Sequence, residues 1–120
     1  MTICLTTQGH DLESQMDPSF GRTRYFLFID ENENVLEAVE NQPAAHGAGV
    51  QAAQTVSEHG ANVLITASVG PNAYGGLQAA GVKIYTGATG TARDALAAYR
   101  AGTLTEAVSP TSRGHRGGRV

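Results

Sequence analysis

The sequence predicts a single α/β domain in which a mixed sheet of about five strands packs against three helices. Two observations lead to this prediction. The first half contains three short β-rich segments in succession, whereas the second half alternates apolar strand-like runs with amphipathic helical segments. A chain of 120 residues fits one domain with a real core. The predicted order is β-β-β-α-β-α-β-α.

The first three strands are predicted from their composition. Residues 2–6 (TICLT) alternate apolar and polar side chains, and residues 25–29 (YFLFI) form a continuous apolar run suited to burial on both faces. A long polar loop, residues 8–24, connects these two strands. Residues 35–39 (VLEAV) form the third strand. The polar residues 30–34 (DENEN) between the last two strands predict an antiparallel hairpin.

The first helix and the fourth strand follow. Residues 49–59 place Val50, Ala53 and Val56 at helical spacing, so these three side chains are expected on the buried face. A glycine directly after this segment is a helix stop signal. Residues 62–67 (NVLITA) then read as a buried strand.

The remaining elements complete the alternation. Residues 71–80 begin with a proline, which suits a first helical turn, and are predicted to be a helix. Residues 82–86 (VKIYT) form another strand. Thr91 is a suitable N-cap for a last helix, Asp94 completes an acidic variant of the capping box, and Gly102 ends the helix.

Charge divides the chain into a body and a tail. We expect residues 1–109 to form one α/β domain, with residues 110–120 as a flexible basic tail. The body has five basic against eleven acidic residues, which argues against nucleic acid as a partner. The tail is either a solvated segment or a contact for an acidic partner, through Arg113, Arg116 and Arg119.

Cysteine usage and hydropathy indicate the compartment. The single cysteine, Cys4, excludes an intramolecular disulfide framework. The first ten residues do not resemble a secretory signal, and no apolar run approaches the roughly 20 residues needed to span a bilayer. We therefore expect a cytoplasmic protein without a membrane partner.

Two strand-to-helix loops, residues 66–76 and 86–91, are candidates for an anion site. A helix N-terminus presents unpaired N–H groups and partial positive charge, and glycine lets an anion approach the backbone. The glycines could equally serve only tight turns, and neither loop matches a phosphate-binding or dinucleotide-binding motif. The candidate residues in these loops are Ser68, Gly70, Asn72, Gly87, Gly90 and Thr91.

The polar loop DPSFGRTR, residues 17–24, is the third candidate. Its arginines, Arg22 and Arg24, are suited to anion contacts or are solvated surface charges. Phe20 is either a cover over a ligand or a core anchor. We expect this loop to converge with the other two at one edge of the sheet. Its candidate ligand-binding residues are Ser19, Phe20, Gly21 and Arg22.

Metal ligation and catalysis have weaker support. His10 and His46 lie in loops that could approach this edge and are candidate metal ligands, whereas His59 suits the end of a helix. Cys4 lies inside a strand and reads as a small buried residue. The sequence offers no convincing acid–base pair or nucleophile, so a catalytic role is not predicted.

Several motifs together resemble the nitrogenase iron–molybdenum cofactor biosynthesis family. They are GAGVQAAQ, SVGPNA, AAGVKIY, GATGT and LTEA, preceded upstream by SFGR and an aromatic strand. The resemblance covers roughly residues 1–107. It implies a ribonuclease-H-like fold without nuclease activity and the binding of an iron–sulfur or molybdenum-containing cluster. Ser19 stands where the family often has histidine, a plausible cluster contact. A serine is a poor ligand for iron, so binding could rest instead on Arg22, loop amides and another histidine. The resemblance implies that some members hold molybdenum–copper–sulfide clusters non-covalently, which would suit such a site, and it makes residues 1–109 the cofactor-binding domain, with the candidate residues of the three loops as its cofactor-binding residues.

Three functions remain open from the sequence. The first is carriage or scaffolding of an anionic metal–sulfur cluster in cofactor biosynthesis, with a cofactor donor or acceptor protein as partner. The second is an enzyme or binding protein for a small phosphorylated or nucleotide ligand, because helix N-termini suit phosphate equally well. The third is a regulatory interaction module without a small ligand.

Overall fold

Three consecutive strands, followed by strands and helices in alternation, build a mixed sheet covered on both faces. The structure is a computed structural model that describes residues 1–43 and 45–109. In chain order it comprises β1 (Thr2–Thr7), β2 (Tyr25–Asp30), β3 (Val35–Glu40), α1 (Ala48–Glu58), β4 (Val63–Ile65), α2 (Pro71–Ala79), β5 (Lys83–Thr86), α3 (Ala92–Ala101) and β6 (Thr105–Glu106). The predicted tail, residues 110–120, lies outside the described residues.

The predicted fold class is confirmed. The strand order is β3-β2-β1-β4-β5-β6, with β1, β4 and β5 parallel to one another in the centre. The predicted hairpin pairs β2 with β3 in antiparallel register, from Tyr25 opposite Glu40 to Ile29 opposite Val35. The described residues form one strand more than expected: β6, which pairs antiparallel to the edge of β5. Its two residues are too few to show a pattern in the sequence.

The core consists of two layers, one on each face of the sheet. On one face, α1 and α2 cover Cys4, Phe26, Phe28, Leu64 and Ile84. On the other face, α3 and part of the 8–24 loop cover Ile3, Leu5, Leu27, Ile29, Val63 and Ile65. The sheet residues alternate between these layers, as the period of a strand requires. Each helix therefore starts at the same edge of the sheet, but α3 starts on the opposite face from α1 and α2.

One expectation about the first helix was wrong. Val50 was expected on its buried face, yet it is 46% exposed, whereas Ala52, Ala53 and Val56 are buried. Val50 lies in the first turn of α1, where the helix extends beyond the core and borders a cleft. The apolar spacing was real, but the sheet does not reach the first turn. No helix in the described part of the chain is long and apolar enough to cross a membrane.

Candidate functional site

Three loops meet at the edge where the parallel strands end. Because β1, β4 and β5 run in one direction, their carboxyl ends lie side by side. The loop after β5 is joined to the loop after β4 by the amide of Gly87, which donates to the carbonyl of Ala67 at 3.0 Å. It is joined to the 8–24 loop by the amide of Met16, which donates to the carbonyl of Gly90 at 2.8 Å.

A cleft of about 520 Å³ opens at this edge on the α1–α2 face. Its walls are the 18–21 segment, the start of α1, and the turn into α2. Of the sequence candidates, the lining includes Ser19, Phe20, Gly21, Ser68, Gly70 and Asn72. Gly87, Gly90 and Thr91 are placed at the start of α3 instead. The cleft is thus built from two of the three candidate loops, together with the first turn of α1.

Two helices begin at the cleft with uncapped N-termini. The N-cap residues are Gly47 for α1 and Gly70 for α2, and glycine has no side chain to accept from the first amides. Gly47 has a φ of 73°, a left-handed conformation that glycine adopts without strain. The first turn of α1 is Ala48, Gly49 and Val50, all uncharged. Both helices therefore direct the positive ends of their dipoles toward the cleft.

Small residues bring these two N-termini close together. A Cβ added at Gly49 would lie 3.5 Å from the Cβ of Ala73, so the first turns of α1 and α2 are in contact. Gly21 packs more tightly, because a Cβ there would lie 3.0 Å from the backbone nitrogen of Gly49. The glycine of FGR thus permits close backbone contact between the 18–21 segment and the first turn of α1.

At the N-terminus of α3, side chains of the helix's own N-cap and first turn already bond the backbone amides. The Thr91 hydroxyl accepts from the amide of Asp94 at 3.1 Å, and the Asp94 carboxylate accepts from the amide of Thr91 at 3.0 Å. The predicted capping box is therefore present. A carboxylate already occupies the place where an exogenous anion would approach.

The 8–24 loop closes α3 further. The amides of Ala92 and Arg93 donate to the carbonyls of Ser14 and Leu12 at 2.8 and 2.9 Å. The side chain of Arg93 pairs with Glu13 of the same loop at 2.7 Å, and this contact raises the arginine pKa. The geometry gives Gly87, Gly90 and Thr91 no contact with the cleft, so their role in binding stays a prediction.

The 18–21 segment, which forms one wall of the cleft, is held by the packing of Phe20 and by a hydrogen bond to the Ser19 hydroxyl. Phe20 is 4% exposed and packs edge-to-face on Phe26, with ring centroids 6.1 Å apart, so it is a core anchor that also lines the cleft. The Ser19 hydroxyl accepts from the amide of Arg22 at 3.0 Å. Arg22 itself is exposed and lies outside the lining residues.

Sequence reasoning missed Asp17 and Asn41, whose side chains bond this loop's backbone. The Asp17 carboxylate accepts from the amides of Ser19 and Arg24, at 2.9 and 3.1 Å. The Asn41 side chain donates to the carbonyls of Gly21 and Thr23, each at 3.0 Å. The Asp17-Pro18 pair does predict a turn from the sequence, but a turn signal alone gives the aspartate no part in a binding site. Asn41 lies beyond β3, and its role depends on the tertiary structure.

Potential metal ligands are dispersed. His10 packs against the edge of Tyr25, with ring centroids 6.0 Å apart, and His46 is exposed just before Gly47. Cys4 is buried as expected, and burial raises the pKa of its thiol far above the ordinary value. Within residues 1–43 and 45–109, no group of three or more His, Cys, Asp or Glu side chains could hold a metal ion. Ligation by His10 or His46 stays a prediction.

The fold is that of a small α/β domain with a cleft at the carboxyl ends of its parallel strands. The model of the dinitrogenase iron-molybdenum cofactor family matches residues 1–102, and the chain belongs to this family. The resemblance seen in its motifs is thereby confirmed. Membership places the chain among cofactor-binding proteins.

Solved structures agree with this assignment. The chain is similar to the orange protein from Desulfovibrio gigas in its apo form, with a TM-score of 0.86 and 38% identity over 92% of this chain and 96% of that one. It is also similar to a NifB-like protein from Thermotoga, with a TM-score of 0.79 and 38% identity over 92% and 97% of the two chains. An uncharacterised protein from Methanocaldococcus jannaschii is 27% identical over 96 residues, covering 76% of this chain and 81% of the relative.

Proposed function

We propose that the protein binds and carries an anionic metal–sulfur cluster in the cleft between the N-termini of α1 and α2. The observation that carries the proposal is the pairing of two glycine-capped helix starts around one cleft of about 520 Å³. Two converging dipoles and their first amides favour a compact anion. The volume falls within the range of ordinary small-ligand sites.

The chemistry of the cleft favours a cluster that brings its own ligands. Among the described residues that line it, none carries a thiol, an imidazole or a carboxylate, the groups that bind iron and molybdenum most directly. The lining instead offers amides, the hydroxyl of Ser68 and the side chain of Asn72. Such donors suit the terminal sulfides or oxo groups of a complete thiometallate. We propose non-covalent binding of that kind.

Ser19 is consistent with outer-sphere binding. Its hydroxyl already accepts from the amide of Arg22 at 3.0 Å. The residue therefore supports the loop rather than offering a strong metal ligand. The similarity to an orange protein that was solved in its apo form and to a NifB-like protein supports a cofactor of the iron–molybdenum type. Carriage further implies a protein that donates or accepts the cluster.

Anaerobic reconstitution tests the proposal. Purified protein is incubated with tetrathiomolybdate alone, with tetrathiomolybdate plus Cu(I), and with tetrathiomolybdate plus Fe(II), and is then desalted. We expect stoichiometric retention of molybdenum and a charge-transfer absorbance in at least one mixture. Loss of all metal on desalting in every mixture would contradict the proposal.

Phosphate ligands are the main competing occupants, because helix N-termini bind phosphate as readily. A thermal-shift series with inorganic phosphate, nucleotides and sugar phosphates therefore accompanies the reconstitution. Stabilisation by a nucleotide without retention of thiometallate would favour a nucleotide-binding protein. Retention of thiometallate that excess phosphate does not displace would favour the cluster.

A further inference from the structure

Two side chains outside the cleft hold the loop that forms its wall. Asp17 is 7% exposed, and its carboxylate receives the amides of Ser19 and Arg24. One of these amides lies inside the wall segment 18–21 and the other lies after it. The backbone of Asp17 is fixed in turn, because its amide donates to the carbonyl of Thr6 at the end of β1, at 2.9 Å. A single carboxylate therefore closes the loop across its base.

Asn41 holds the same loop from the other side. Its side-chain amide donates to the carbonyls of Gly21 and Thr23, and its backbone amide donates to the carbonyl of Arg24 at 2.9 Å. Asn41 follows directly after β3, so these three bonds fasten the loop to the edge of the hairpin. The carbonyl of Gly21 belongs to the residue that touches the first turn of α1.

We propose that Asp17 and Asn41 are positioning residues that preform the cleft and thereby raise its affinity for an anion; this inference rests on the proposed function. A loop of glycine, serine and proline has many conformations, and ordering it on binding would subtract from the affinity. The two side chains order it beforehand through bonds to its backbone. Neither side chain is a lining residue, so each acts on the ligand only through the loop.

Two pairs of matched variants test the proposal. Asp17→Asn replaces one acceptor oxygen with a donor and leaves one of the two loop amides unpaired. Asp30→Asn is its control: the Asp30 carboxylate also bonds its own turn, with Oδ1 accepting the amides of Asn32 and Asn34, both at 2.9 Å, and Oδ2 accepting the side-chain amide of Asn34 at 3.1 Å, so this substitution likewise removes one acceptor from a turn. Asp30 lies in the hairpin turn at the opposite edge of the sheet.

The second pair removes an asparagine side chain. Asn41→Ala deletes the two side-chain hydrogen bonds, to the carbonyls of Gly21 and Thr23, and leaves the backbone bond to Arg24 in place. Asn62→Ala is its control, because the Asn62 side chain also bonds to backbone, accepting from the amide of Thr2 at 2.8 Å, again at the edge away from the cleft. Each control makes the same substitution at a side chain that bonds backbone at the edge away from the cleft, so the two members of a pair differ in whether the cleft wall depends on that side chain.

Two measurements are made on the full chain. Amide hydrogen exchange without ligand reports the order of the loop, and we expect the amides of Ser19, Arg22 and Arg24 to exchange roughly tenfold faster in Asp17→Asn and Asn41→Ala only. Titration with tetrathiomolybdate reports affinity, and we expect Kd to rise roughly five- to twentyfold in the same two variants, against less than about twofold in the controls. Free energies of unfolding, measured by urea for all four variants, show whether a loss of affinity merely follows a loss of stability.

The results distinguish a failure of the positioning role from a failure of the proposed function. Equal Kd values in test and control variants would overturn the positioning role, as would a Kd that follows the unfolding free energy across all four. Unchanged exchange in the loop would overturn it even without a ligand. If the wild-type chain retained no thiometallate under any condition, the proposed function would fail, and loop exchange would still show whether the two side chains order the wall.

Discussion

The N-terminus of α3 and those of α1 and α2 lie at the same edge of the sheet, yet only the latter pair opens on a cleft. In α3, Asp94 stands at the third helical position and closes a capping box with Thr91. In α1 the corresponding position is Val50, and the N-cap is Gly47. A strand-to-helix loop is therefore not in itself an anion site. The residues at the cap and in the first turn, together with any loop carbonyls that accept from the first amides, decide whether the positive end of the helix is used internally or left for a ligand.

The largest expected effect comes from giving α1 the acid that α3 carries. Val50→Asp places a carboxylate at the third position of α1, beside the cleft. Repulsion of an anionic cluster should weaken binding by at least about thirtyfold, or ~2 kcal/mol. The fold should tolerate the change because Val50 is 46% exposed, and an acid in the first turn should stabilise α1 by about 0.5 kcal/mol. Retention of molybdenum after desalting measures the change in binding, and unfolding in urea measures the change in stability.

The matched control for this variant is Val50→Asn, which has nearly the shape of aspartate without its charge. It should reduce binding by less than about threefold. Equal losses in the two variants would show that shape, rather than charge, governs the site. Unimpaired binding by Val50→Asp would place the anion elsewhere in the protein.

The converse substitution removes the acid from α3. Asp94→Ala abolishes the capping box and should lower the free energy of unfolding by about 1 kcal/mol. It should create no second anion site, because the amides of Ala92 and Arg93 still donate to loop carbonyls. Asp94→Asn, which keeps an acceptor oxygen, should lose less. A second equivalent of bound thiometallate in Asp94→Ala would show that the capping carboxylate alone keeps α3 closed.

The difference between α3 and the other two helices shows which features could be predicted from the sequence and which could not. Periodicity and turn residues predicted the sheet, the hairpin and the three helices, and the capping box at Thr91 was visible as a local pattern. The 66–76 and 86–91 loops looked alike because both follow a strand and contain glycine. They are separated by contacts over long distances in the chain, such as the amide of Ala92 with the carbonyl of Ser14. Such contacts, like those of Asn41, have no local signature.

Two neighbouring glycines in α2 test how closely the open helices must pack. A Cβ at Gly75 would meet nothing within 4 Å, so Gly75→Ala should stabilise the protein by about 0.5–1 kcal/mol through helix propensity. A Cβ at Gly76 would lie 3.3 Å from the Cβ of Ala53, which is a tight contact. The stabilisation from Gly76→Ala should therefore be smaller than that from Gly75→Ala, by at least about 0.5 kcal/mol. Thermal and urea unfolding compare the two. Equal gains would mean that α1 and α2 are free to separate slightly.

The smallest expected effect belongs to Arg22. Its side chain is exposed and outside the lining, so its charge should act on a bound anion through solvent and be largely screened. Arg22→Glu should weaken thiometallate binding about threefold in low salt, a free-energy change of about 0.6 kcal/mol, and the effect should fade toward 0.5 M salt, where the screening length is only about 4 Å.

Lys83→Glu is the control for Arg22→Glu, because it changes the net charge equally. Lys83 begins β5 at the edge away from the cleft and pairs with Glu106 at 3.8 Å on an exposed surface. If net charge alone matters, both variants should weaken binding alike at low salt. If Arg22 acts locally, only its variant should do so. A loss of thirtyfold or more for Arg22→Glu, persisting in high salt, would instead mean that the arginine contacts the anion directly, and that the 18–24 loop closes over the open helix N-termini when the cluster binds.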